Sequence, residues 1–174
     1  VGLRIWLRDI PNFAPVAGVA LFAGYYFRNG WLAALAPLSV MVISDLSLGG
    51  YQPLLMLTVY SLLTLPVALR GYLRSRFRLD GSARSVLSSL GGLLTCSLAC
   101  SLLFFAATNL MVWVVTPWYP RSAAGLLQCY ANAIPFFRYT VAGDLLYAGL
   151  LFGGYAALQA VARRRALAWH PQAV

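Results

Sequence analysis

Apolar residues fall in long runs along this chain, and polar residues collect between them. Six runs approach the roughly 20 residues that a bilayer-crossing helix needs: 13–27, 31–48, 53–73, 86–108, 125–137 and 141–161. Pro66 falls inside the third run and Pro135 near the end of the fifth. The boundaries are Arg28-Asn29-Gly30, Gly49-Gly50, the stretch RGYLRSRFRLDGSAR (70–84), Pro117 with Pro120, and Arg163-Arg164-Arg165, with a tight turn at Arg138-Tyr139-Thr140 between the last two runs. Irregular backbone is too costly against lipid, so each run predicts a helix. Together they predict an all-α membrane protein, a bundle of six transmembrane helices forming one domain over 1–174. Residues 1–10 are amphipathic and predict an interfacial helix or the end of a longer first helix, and 163–174 predict a basic tail. Six crossings place both chain ends on one face, termed end A; the opposite face is end B.

Composition supports lipid as the surroundings. Hydrophobic residues make up 61% of the 174 and charged residues only 10%, with a mean hydropathy of +0.75, where soluble domains carry roughly 25% charge. The acids are Asp9, Asp45, Asp80 and Asp144; every basic residue is arginine, and the net charge is +9. A soluble protein this basic would suggest nucleic acid, but these arginines sit at the ends of apolar runs and form no basic stripe. Anionic lipid headgroups are the expected partner and nucleic acid is not. Six crossings put Arg4, Arg8, Arg121 and Arg163, Arg164, Arg165 at end A. Arg28, Arg70, Arg74, Arg76, Arg78, Arg84 and Arg138 then lie at end B. That near balance selects no orientation.

Cys96, Cys100 and Cys129 lie inside apolar runs, an odd set that argues against a disulfide framework. Cys96 and Cys100, one turn apart, could hold a soft metal, yet no His or third Cys is near them in sequence; packing as small hydrophobes is the plainer expectation. No metal, cofactor or catalytic residue is assigned, because no HExxH, GxSxG or phosphate-binding glycine loop is present.

Ionisable groups inside spans are functional candidates by default. Asp45 near the end of the second helix and Asn109, with Thr108, near the end of the fourth should lie level at end A. Asn12 joins that layer, and Trp113, Trp118 and Tyr119 fold over it. Two readings stay open there: a polar pocket, or hydrogen bonds that pin helix ends under an aromatic belt. At end B, Arg138 and Asp144 flank the expected turn, with Thr140 capping the sixth helix; they could clamp a ligand anion or form a structural salt bridge. Gln128 and Asn132, one turn apart, would point into the bundle. Ala14/Gly18 and Ala20/Gly24 give the first helix a small-residue face, as Gly149/Gly153 do on the sixth, for internal packing or for a membrane partner.

The blocks PNFAPVAGVALFAGYYF, VMVISDLSLGGY, FFAATNLMVWVVTPWYP and AGLLQCYANAIPFFRYTVAGDLLYAGLLFGGY occur together in this chain. On those blocks, covering about residues 11–156, it resembles a family of small bacterial membrane proteins of uncharacterised role classed as transport proteins. That family in turn is similar to the substrate-binding S components of energy-coupling factor (vitamin) transporters. The resemblance implies six helices, cytoplasmic termini in the bacterial inner membrane, and a ligand cavity near the outer face. It also implies that a coupling subunit docks on the small-residue face of the first helix. The expected function is therefore binding or transport of a small, vitamin-like solute. The alternatives are a non-transporting accessory subunit of a larger membrane complex and a lipid-acting enzyme.

Overall fold

The computed structural model describes residues 16–48, 52–79 and 82–169, and every regular element among them is a helix. In chain order these are α1 (Val16–Tyr26), α2 (Gly30–Leu48), α3 (Pro53–Ala68), α4 (Arg70–Arg76), α5 (Ala83–Val115) and α6 (Ala123–Trp169). Two of them, α5 and α6, are long and apolar enough to cross a membrane; α3 and α4, bent by 42° at their junction, add a third if counted as one span.

Polar residues in the breaks start the helices. Asn29 Oδ1 accepts from the Trp31 amide, Gln52 Oε1 from Leu55, Ser82 Oγ from Ser85 and Ser122 Oγ from Gly125. Each satisfies a first-turn N–H that helix geometry leaves without a partner. Pro53 opens α3 at a position where its missing N–H costs nothing.

The contacts fix the direction of every rod. Gly18 abuts Tyr147 and Ala148, and Phe22 and Tyr26 meet Phe152 and Tyr155, so α1 and α6 run parallel. Gly24 lies against Pro66, while Ala20 shares a buried cluster with Leu63, so α3 runs with α1. Tyr60 meets Asp45, and Met41 packs in the cluster of Val59 and Leu63, so α2 opposes α3. Along α5 and α6, Asn109 pairs with Cys129, Ala106 with Tyr130, and Ser101 with Asp144, an antiparallel hairpin held in register.

The turn expected at Arg138–Thr140 is absent. The residues read as a fifth and a sixth helix form one helix of 47 residues, about 70 Å long at 1.5 Å per residue. Pro135 removes one backbone donor and Ala131 loses its usual acceptor role, but the helix continues through both. Among the described residues the chain therefore makes five alternating rods, counting α3 and α4 as one. The start of α1 and the end of α6 lie at opposite ends of the bundle. Of the expected basic tail, residues 163–169 continue α6 as helix, while residues 170–174, like the amphipathic stretch 1–10, lie outside the described residues.

The bundle is apolar outside. Trp31, Leu35, Leu46, Leu57, Leu127, Leu150 and Leu158 are exposed, whereas Ser44, Asp45, Ser89, Ser97, Ser101 and Asp144 are buried. So much exposed large apolar side chain is compatible with insertion in a membrane, which α5 and α6 are long and apolar enough to cross.

Candidate functional site

The most enclosed charge in the described bundle is Asp144, 2% exposed, at the junction of α1, α5 and α6. Ser101 Oγ lies 2.6 Å from its Oδ2, and Ser97 Oγ donates to the Asp144 backbone carbonyl at 3.3 Å. The Gly18 amide donates to the same carboxyl from α1. Ser101 Oγ also lies 3.0 Å from the Ser97 carbonyl oxygen. A hydroxyl has one proton, so Ser101 faces two acceptors with a single donor.

Local sequence explains this placement. Ser89, Leu93, Ser97 and Ser101 recur every four residues and form the buried stripe of α5. Small hydroxyl residues let α6 approach closely there and offer hydrogen bonds across the seam. Neither serine stands out when α5 is read only as an apolar run; their shared phase with Ser89 is the signal that marks them.

The other sequence candidates separate. Arg138 is exposed and faces away from Asp144: its Nη2 donates to the Tyr139 hydroxyl at 2.8 Å, with Cζ 4.7 Å from that ring's centroid. Six residues of continuous helix put the two charges on different faces, so no Arg138–Asp144 clamp forms. Thr140 lies in the helix interior and caps nothing. Gln128 and Asn132 are exposed, because Cys129 takes the buried face toward α5. The polar ladder thus points outward, with Asn132 Nδ2 3.4 Å from the Tyr119 hydroxyl.

Toward end A, Asp45 accepts a 2.9 Å hydrogen bond from Tyr60, a partner on α3 that the sequence pattern did not single out. Asn109 Nδ2 donates to its own helix at Phe105, and Thr108 Oγ1 does the same at Phe104. Such back-bonding satisfies polar groups without a neighbouring helix. Trp113 Nε1 donates to the Pro120 carbonyl, and Arg121 stacks 5.5 Å from the Trp113 ring, which fastens the loop between α5 and α6. Asn12 and Ala14 lie outside the described residues.

The small-residue face is occupied internally. Gly18 packs on α6, Ala20 is enclosed with Met41 and Leu63, and a Cβ on Gly24 would stand 2.5 Å from the Pro66 carbonyl oxygen. A coupling subunit could not use these three without unpacking α1. By contrast, a Cβ on Gly149 or Gly153 would meet open space. Cys96 and Cys100 pack against the core beside Leu93 and Phe152.

No curated protein and no solved structure matches the chain. A family model matches residues 1–167, and the chain belongs to that family, the family of unknown function DUF6580.

Proposed function

We propose that this is an integral protein of the bacterial cytoplasmic membrane that binds or passes a small polar solute, similar in role to the S components of vitamin transporters. The observation that carries the reading is Asp144, a carboxyl enclosed between apolar helices with a serine pair and a glycine amide around it. Intramembrane carboxyls are expensive, and proteins keep them for ion, proton or solute handling. Uptake of a proton by the Asp144 carboxylate from one side of the membrane and its release to the other, with Ser101 holding the carboxyl in place, would let solute movement draw on a gradient.

The reading adopts five crossings, which alters the charge balance. With α6 continuous, Arg163, Arg164 and Arg165 join Arg28, Arg70, Arg74, Arg76, Arg78 and Arg84 at end B, against Arg121 at the far end of the described bundle. The positive-inside rule then favours end B as cytoplasmic. This reverses the orientation implied by the S-component likeness, which put end B outside.

The reading is tested by purification in mild detergent, with mass spectrometry of retained small molecules, then uptake of the retained solute into proteoliposomes. The wild type is expected to retain a solute and take it up, and Asp144→Asn to fold but lose uptake by about tenfold or more, a positioned proton-transfer group contributing about 10²–10⁴-fold. Retention of a stoichiometric protein instead of a solute would overturn it.

A second reading, an accessory subunit, has one observation in its favour. Arg138 points outward next to Phe137, which packs on Phe105 of α5 inside the apolar stretch, and exposed Gln128 and Asn132 follow toward the α5–α6 loop. An arginine facing lipid at mid-membrane costs about 2.5–3.5 kcal/mol on insertion scales, and a protein neighbour would remove that cost.

A further inference from the structure

At end B a cavity of about 290 Å³ opens between α1, the end of α4 and α6, lined by Tyr25, Tyr26, Tyr155, Gln159, Arg74 and Arg78. Its walls are set by packing. Tyr155 stands edge-on to Tyr25 and Tyr26, with ring centroids 6.2 and 5.5 Å away. Gln159 Nε2 donates to the Tyr155 hydroxyl at 2.9 Å, which leaves that hydroxyl's proton to donate elsewhere. Arg74 sits in the last turn of α4, and the chain then leaves the helix at Phe77 in extended form. The Arg78 amide donates to Ser89 Oγ at 3.0 Å, and buried Leu73 and Leu79 anchor the segment on both sides.

The chemistry of the lining is one-sided. Two arginines, three tyrosines and a glutamine line it, while the two described carboxyls, Asp45 and Asp144, are held by Tyr60 and Ser101 inside the bundle. Paired arginines offer forked donors that match the oxygens of a phosphate better than those of a spherical anion. The aromatic walls suit the apolar neighbour of that phosphate, and a volume near 300 Å³ is the lower end of small-ligand sites.

We propose that this cavity is a binding site for a phosphate group, gripped by Arg74 and Arg78 and walled by Tyr26 and Tyr155. The phosphate belongs either to a phospholipid headgroup or to a soluble phosphate ester. The site is independent of the solute path at Asp144, about 22 Å away along α6 from Gln159 at 1.5 Å per residue.

The full chain in detergent is titrated with inorganic phosphate and phenyl phosphate by calorimetry, and with phosphatidylglycerol against diacylglycerol of the same chains by native mass spectrometry. Wild type is expected to bind at least one phosphate probe. Arg74→Gln/Arg78→Gln is expected to weaken that binding by about tenfold or more, the usual scale for charge-assisted hydrogen bonds, and Arg121→Gln to leave it unchanged. Arginine-dependent binding of phosphatidylglycerol alone identifies the lipid source, and arginine-dependent binding of the soluble probes identifies the ester. If the double variant fails to fold, Arg78→Gln alone, whose side chain is exposed, carries the comparison.

Binding of no phosphate probe, or equal binding by the variants, overturns the proposal. So does binding that emerges only in Asp80→Asn, because the chain's own carboxylate then fills the cavity. None of these outcomes touches the Asp144 reading, whose readout is uptake.

Discussion

At the scale of single residues, the bundle is pinned by a few polar groups and close approaches. Ser101→Ala removes the 2.6 Å partner of the buried Asp144 carboxyl. Stability is expected to fall by about 1–3 kcal/mol, the cost of an unsatisfied buried polar group, read as a lower thermal midpoint in detergent. The glycines separate into two kinds. Gly24→Ala drives a methyl into the Pro66 carbonyl, and a loss of about 1–3 kcal/mol is expected for such overpacking. Gly153→Ala meets open space, so a gain of up to about 1 kcal/mol from helix propensity is expected in the isolated protein. A fall in the stability of the isolated protein at Gly153→Ala would mean that this face is packed against a second copy of the chain.

At the scale of elements, the apolar runs disclose α1, α2, α3 and most of α5, whereas the caps at Asn29, Gln52, Ser82 and Ser122 emerge only in the fold. Pro135 followed by Arg138-Tyr139-Thr140 carries the marks of a turn, yet α6 runs through it. The marks mislead because lipid raises the cost of leaving a helix, and because Arg138 finds its partner one residue away on Tyr139. A distance measurement decides between rod and hairpin. Spin labels at Leu127→Cys and Leu150→Cys, with Cys96, Cys100 and Cys129 replaced by Ala, should lie about 35 Å apart on a continuous helix. A separation near 10 Å, the spacing of packed helix neighbours, would restore the turn.

At the scale of the whole molecule, the membrane character is plain in composition, but the polarity of the bundle is not. It depends on the parity of the rods, and a single misread break moves three arginines from one end to the other. The candidate site was half legible for a related reason. Asp144 announces itself as a charge in an apolar run, whereas Ser97, Ser101 and Tyr60 become visible only when helix faces are matched across the bundle. Orientation has a direct check. In a cysteine-free background, Ser122→Cys in the loop before α6 should react with a membrane-impermeant maleimide added outside intact cells, and Arg76→Cys should react only after lysis. The opposite pattern would turn the bundle over.

The unbroken α6 has a mechanical consequence. It touches the fastened loop at one extremity, the tyrosine and arginine cavity at the other, and rests against Gly18 between them at Tyr147 and Ala148. Its seam with α5 and its ring contacts with α1 hold it at several levels, so it is a strut clamped along much of its length. A strut so clamped resists bending, and it keeps the loop and the cavity at a fixed spacing set by helix rise alone.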